Sequence, residues 1–475
     1  MNTSCTAGLA LALGCLPMAV TATDYGQGLP ARATPHVLNN SQGENAHWSG
    51  IGRLQLPDQR QCIASLLDTR SDPGQATGPA YVVTAGHCAS KRNGAIVQDA
   101  PLEASLVFNF FADTEGERPT IAVRRIVWSS MQGSDLALLE LDARLEQLLA
   151  QGIQPLALGP AAADGSAVLM VGETTASDRG LRLSTCTQQS LPWLMEAPWI
   201  WRNLTQNDCT GAGEGASGSP VLERGSNALL SVVTSLLDEG VAAVPVQRLQ
   251  GCFAAGHVIP DLPSCTLLPG FQLTQTEVDT FKALDRLQVN DQGQITAPTW
   301  NFNFTIDTPR YRFKSVDDPL ACEAPAGYSG SIDSEIGLIQ APLEAQAGWQ
   351  FLCVVGVDSA EQLSWPGLMA NALSVPMQLL PAGPVAAPKV QVDYKPNGDA
   401  VVNWVTDPPH IVRYRAKRGA PETTDCADPR GYGPVPHERF VFKANRLPLT
   451  LCTIAIDGLR ESSAPRTDVI ARADN

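Results

Sequence analysis

The feature that most constrains this chain is a repeat of about one hundred residues in its C-terminal part. Gln288-Val289 recurs as Gln391-Val392, Trp300 as Trp404, and Tyr311-Arg312-Phe313-Lys314 as Tyr414-Arg415-Ala416-Lys417. The cysteines keep step. Cys322 stands five residues before Gly327-Tyr328 and Cys426 five before Gly431-Tyr432, while Cys353 leads into Val355-Gly356-Val357-Asp358 and Cys452 into Ile454-Ala455-Ile456-Asp457. Each copy has the size and strand rhythm of a β-sandwich. Pro381-Ala382-Gly383-Pro384 sits where a linker between two such units belongs.

The whole chain of 475 residues is too long for one hydrophobic core and implies two to four domains. From Trp48 onward, short β-like runs are separated by turn residues: Ile51 to Leu56, Cys62 to Leu67, Ala80 to Ala85, Ser105 to Phe111, Thr120 to Val127 and Leu136 to Leu141. The rhythm continues through Ala167 to Val171, Pro220 to Leu222 and Ala228 to Leu236, which predicts an all-β protein. One stretch departs from it. Between Thr274 and Leu287 the apolar residues Val278, Phe281, Leu284 and Leu287 recur at helical spacing, predicting a helical connector. The two C-terminal copies resemble fibronectin type III or immunoglobulin-like modules, each with one internal disulfide.

Residues Ala7 to Val20 are apolar and are followed by Val20-Thr21-Ala22, which suits an export signal cut after Ala22. The start, Met1-Asn2-Thr3-Ser4, lacks the usual Lys or Arg, and Ala12-Leu13-Gly14-Cys15 is a poor lipidation box. No later segment approaches ~18 uninterrupted apolar residues, so no transmembrane helix is expected and the location expected is secreted or periplasmic. Residues 23–47, rich in Gly, Pro, Asn and Ser, suit a leader, a propeptide or an exposed arm. Of the twelve cysteines, Cys5 and Cys15 fall in the signal and ten remain. In an oxidising compartment their local spacing points to Cys62 with Cys88, Cys186 with Cys209, Cys252 with Cys265, Cys322 with Cys353, and Cys426 with Cys452. Cys/His spacing of the zinc-site kind is lacking, so no metal is expected. A formal charge of -15 argues against nucleic acid as a partner, because its phosphates would be repelled over much of the surface.

Three segments hold the parts that amide hydrolysis needs: a nucleophile, a base to take its proton, and donors for the developing oxyanion. Thr84-Ala85-Gly86-His87-Cys88 places a histidine just past a β-run. Ser134-Asp135-Leu136-Ala137-Leu138-Leu139 puts an aspartate at the mouth of an apolar strand. Gly213-Glu214-Gly215-Ala216-Ser217-Gly218-Ser219-Pro220 flanks a serine with glycines, which let backbone approach a substrate carbonyl. Singly, each segment has a blander reading as a disulfide neighbour, a turn or a loop. Together, in the order His, Asp, Ser, they resemble the trypsin and chymotrypsin family of serine proteases, over roughly Trp48 to Cys265.

That resemblance implies a chymotrypsin-like double β-barrel and a serine endopeptidase acting on protein or peptide substrates without a cofactor. It assigns Ser217 as nucleophile, His87 as proton shuttle and Asp135 as the group that orients the imidazole. It places the oxyanion on the amides of Gly215 and Ser217, and the bridge Cys62 to Cys88 beside the histidine. Thr234, Ser235 and Leu236 resemble the strand that pairs with substrate, and Gly211 takes the specificity position six residues before Ser217. Gly211 is not an acid, so cleavage after Arg or Lys is not implied, and Leu236 favours a small or medium uncharged side chain. Ala216 replaces the aspartate that zymogen-type members use to bind a new N-terminus, so the chain resembles the family's bacterial members.

Of the other histidines, His257 falls in the Cys252 to Cys265 loop, and His36, His47, His410 and His437 lie in leader or sandwich segments. Trp193, Trp199 and Trp201 form either a substrate-facing patch or packing under a loop. The expected organisation is a signal at 1–22, a leader or propeptide at 23–47, and a protease domain at 48–270. A helical connector with the first β-sandwich follows at 271–383, and the second β-sandwich at 384–475. The sandwiches are expected to bind a protein or cell-surface target. The competing reading is a catalytically silent, protease-like binding or adhesion protein, against which the intact triad speaks.

Overall fold

The computed structural model describes residues 23–70, 72–91, 96–172, 180–276, 283–405, 410–435 and 439–472. The export-signal expectation at 1–22, with Val278, Phe281 and His437, lies outside the described residues. The protein is all-β, built from two closed six-stranded barrels followed by two sandwiches. No helix among the described residues is long and apolar enough to cross a membrane.

The first barrel closes in the order Thr120–Met131, Ser105–Val107, Ile51–Gln55, Gln61–Leu66, Pro79–Thr84, Asp135–Arg144 and back to Thr120–Met131. The second closes in the order Arg182–Glu196, Trp199–Asn207, Val241–Pro245, Leu229–Leu236, Pro220–Glu223, Ala167–Gly172 and back to Arg182–Glu196. All these pairings are antiparallel.

Many of these strands are apolar on both faces, and the packing explains why. Ala80, Val82, Ala137 and Leu139 belong to one core, whereas their neighbours Tyr81, Val83, Leu136 and Leu138 belong to another. In the second barrel Val168 and Met170 separate in the same way from Leu169 and Val171. Each barrel therefore has a core of its own, and both contribute to a shared one. Each fully buried Leu or Val there stabilises by ~1.5–3 kcal/mol, so the shared core holds the barrels together.

Residues 23–47 do not hang free. Strand Ala33–Val37 adds antiparallel to Arg182–Glu196, Leu38 is buried, and Arg224 pairs with Asp24 at 2.7 Å.

The first sandwich sets a three-stranded sheet, Leu273–Gln275, Phe302–Ile306 and Leu338–Ile339, beside a five-stranded one. The larger sheet runs Leu284–Arg286, Leu373–Leu380, Gly348–Val357, Arg310–Val316, Ile332–Asp333. The helical expectation for 274–287 is corrected in its described part, where both ends are strands. Leu284–Arg286 pairs parallel with Gln378–Leu380, and Leu287 donates to the Leu380 carbonyl. Tertiary pairing overrides a short helical period.

The second sandwich repeats the plan with Lys389–Tyr394, Ala400–Val405 and Arg439–Phe442 against Gly433–Pro434, Ile411–Gly419, Leu449–Asp457 and Arg466–Ile470. The repeated residues share one device. Lys314 sits over the Tyr328 ring and caps the carbonyls of Ala324 and Ala326, and Lys417 does the same with Tyr432 and the carbonyls of Asp428 and Arg430. Each tyrosine hydroxyl donates to the carbonyl of the first cysteine of its copy, Cys322 or Cys426. All five disulfides join the neighbours in sequence: Cys62–Cys88, Cys186–Cys209, Cys252–Cys265, Cys322–Cys353 and Cys426–Cys452.

Candidate active site

The loops between strands bring His87 and Ser217 to one cleft, with Asp135 in contact with His87. His87 lies in the short helix Gly86–Ala89 that follows Pro79–Thr84, and Asp135 opens the strand Asp135–Arg144. Both belong to the first barrel. Ser217 stands in the loop before Pro220–Glu223 and belongs to the second. A cleft of about 330 Å3 is lined by His87, Ser217, Gly215, Glu214, Arg60 and Lys91, among others.

Asp135 is buried and grips His87 twice. Its Oδ1 accepts the His87 backbone amide at 2.7 Å, and its Oδ2 lies 2.7 Å from ring Nδ1. Thr234 of the second barrel donates its hydroxyl to the same Oδ2. The ring is thereby oriented with Nε2 left for chemistry. This arrangement needs Gly86, because a Cβ there would stand 2.2 Å from the Ser130 carbonyl and 2.9 Å from Asp135 Oδ1.

The serine loop is built with equal economy. Gly215 and Gly218 have φ of 98° and 87°, a region that favours glycine. A Cβ on Gly218 would fall 1.8 Å from the Ile63 carbonyl and 2.4 Å from Thr84 Oγ1. Ile63 donates its amide to the Ser217 carbonyl at 2.8 Å, and Thr84 donates to the Ile63 carbonyl at 2.7 Å, so the loop is fastened to the first barrel. Among the described residues, the amides of Gly215 and Ser217 donate no backbone hydrogen bond. Nor does a hydrogen bond join Ser217 Oγ to the His87 ring among them, and such bonds are often long without substrate.

Residues 71–230, which carry His87, Asp135 and Ser217, match the family described as the trypsin-like peptidase domain. That stretch carries a trypsin-like peptidase domain. No curated protein matches the chain. Among solved structures, it is similar to the VesB protease of Vibrio cholerae at 14% identity, over 73% of this chain and 99% of that one, with a TM-score of 0.34. A thermostable serine protease, AL20, from an extremophilic microorganism is similar at 17% identity over 42% of this chain and 90% of that one, with a TM-score of 0.32. Deg5 is similar at 15% identity over 44% and 91%, with a TM-score of 0.29.

The remaining predicted residues are placed unequally. Thr234 and Ser235 are buried on Leu229–Leu236, while Leu236 at its end is 52% exposed. Gly211 lies outside the cleft lined by His87 and Ser217, with its Cβ position 2.4 Å from Pro35. Ala216 is fully buried. Trp199 and Trp201 stack at 6.1 Å, and Trp193 packs edge-on against Phe351 of the first sandwich, which is the packing alternative. His257 is exposed in its disulfide loop. Cys62, His87 and Cys88 cluster closely enough to suggest a metal, but both sulfurs are spent in a disulfide.

Sequence reasoning missed Glu196, whose Oε2 accepts from Ser235 Oγ at 2.7 Å and Trp201 Nε1 at 2.8 Å. It also missed Gln132, three residues before Asp135, which donates to the Asn371 carbonyl in the first sandwich. Nothing in the local pattern marks either: Glu196 reaches Ser235 thirty-nine residues on, and Gln132 meets a carbonyl in another domain.

Proposed function

We propose that the protein is a serine endopeptidase, secreted or periplasmic, that hydrolyses peptide bonds through an acyl-enzyme. The observation that carries this reading is the two-point grip of Asp135 on His87 at a cleft also lined by Ser217. Ser217 Oγ attacks the carbonyl carbon while His87 Nε2 takes its proton. The tetrahedral oxygen is held by the amides of Gly215 and Ser217, His87 returns the proton to the leaving amine, and water then releases the acyl group by the same route. Asp135 keeps the ring in the required tautomer, and Thr234 fixes Asp135. With Leu236 at the end of the substrate strand, cleavage follows small or medium uncharged side chains; a peptide-library profile dominated by Arg or Lys would overturn that preference. Ala216 offers no carboxylate to a new N-terminus, so the docked segment before Trp48 is not required to supply a free amine. The second sandwich positions the enzyme on a protein or cell-surface target, and deleting Val385 to Asn475 changes where it cuts rather than whether it cuts.

The test is a fluorophosphonate probe with intact-mass and casein-cleavage readouts. The native chain takes one adduct and cleaves. Ser217→Ala takes none and loses at least about 10³-fold in rate, and Asp135→Asn loses about 10⁴-fold. A folded native chain that takes no adduct overturns the reading.

A further inference from the structure

Beneath the loop that carries Asp135, where the second barrel meets the first sandwich, lies a second cleft of about 440 Å3. Its charged lining consists of two guanidinium groups, Arg202 and Arg248, and one carboxylate, Glu323. Arg202 is fully committed. Its side chain is buried, its Nε stands 3.0 Å from Glu323 Oε1, and its terminal nitrogens donate to Ser374 Oγ and to the carbonyls of Ala370 and Ala372.

Arg248 is in a different position. One terminal nitrogen donates to the Thr266 carbonyl at 2.6 Å and to Asn371 Oδ1 at 3.2 Å, both neutral acceptors. Its Nε is buried with no hydrogen-bond partner, although the residue as a whole keeps some exposure. Beside it in the same lining, Ser134 is only 4% exposed, and its Oγ is buried without a partner. Burial pulls the Arg248 guanidinium down to about 10, with nearby Arg202 adding to the effect and Glu323 opposing it. A buried cation short of a counter-ion and a buried hydroxyl short of a partner are both costly. The rest of the wall, including Val244, Pro366 and Met369, is apolar.

We propose that this cleft binds a small organic monocarboxylate with a short apolar tail, its carboxylate held by the Arg248 guanidinium beside Ser134 and its tail by Val244, Pro366 and Met369. One anion balances the lining, since Glu323 answers one of two guanidinium groups. A planar guanidinium matches the carboxylate plane better than it matches a spherical ion. Two sources share this chemistry, a free short-chain acid and the C-terminus of a peptide.

Isothermal titration of the full chain tests the proposal without reference to hydrolysis. The probes are N-acetyl-leucine, 4-methylpentanoate, N-acetyl-leucinamide and acetate. One acid binds per chain and raises the melting temperature with concentration, and the amide and acetate each bind at least about tenfold more weakly. Preference between N-acetyl-leucine and 4-methylpentanoate separates the peptide end from the free acid. Arg248→Gln abolishes binding, Ser134→Ala weakens it several-fold, and Glu323→Gln tightens it by removing the competing charge, an effect that misfolding does not produce. No binding by either acid at about 10 mM, equal binding of the amide or of acetate, or unchanged binding by a folded Arg248→Gln protein overturns the proposal.

Discussion

The two sandwiches are copies in their internal wiring and opposites in how they meet the rest of the chain. Both hold a lysine over a tyrosine beside a disulfide. The residue after the first cysteine differs. In the first copy it is Glu323, which reaches Arg202 and Asn203 of the second barrel. In the second copy it is Ala427, which is exposed. The first copy also receives Gln132 from the Asp135 loop and packs Phe351 against Trp193. The second is held to the first through Arg286, which bridges Asp457 and Glu461 and donates to the carbonyls of Pro381 and Gly383. One module has become part of the support of the candidate active site, while its twin is attached to that support.

The comparison can be broken most severely at Arg202. Arg202→Met leaves Glu323 without its buried partner and should cost about 3 kcal/mol in urea unfolding. It should also lower kcat/KM by about 10²-fold through displacement of the Asp135 loop. A stable variant with native kinetics would mean that the first sandwich is as peripheral as the second. Arg286→Met comes next. It strips buried Asp457 of its cation and should cost about 2–3 kcal/mol, confined to the unfolding of the second sandwich, with hydrolysis unchanged. Lost activity there would place the second copy in the supporting unit too. The smallest effect is expected from Ala427→Glu, which gives the second copy the first copy's residue at an exposed position and should change stability by less than about 0.5 kcal/mol.

Much of this architecture was legible in the residues. Runs such as Ala80 to Val83 and Leu136 to Leu139, apolar without alternation, require two cores, and two barrels sharing a third core provide them. The repeat was legible because Trp, Tyr-Arg-x-Lys and Cys return in order. His87 and Ser217 stood out through the glycines beside them and Asp135 through its place at the mouth of an apolar strand, and Gly86 and Gly218 prove to be places where a Cβ collides with backbone. What stayed hidden is contact between distant parts. Gln132 meets Asn371 and Arg202 meets Glu323 across long stretches of chain, and an arginine destined for burial looks like any other in sequence. The helical spacing before Leu287 misled for a related reason, since Leu284 is claimed by a strand near residue 378.

Strand Ala33–Val37 carries one more consequence, which concerns time. Ala33 pairs with Thr185, so the strand emerges from the ribosome about 150 residues before its partner, roughly ten to thirty seconds at ordinary rates of synthesis. Throughout that wait it is an unpaired edge with nothing to lean on, the condition that invites wrong partners. Pro35, in the middle of the strand, has no amide to offer an intruder. Among the described strands the first made is therefore one that waits long for its partner, with a proline that offers no amide in the meantime.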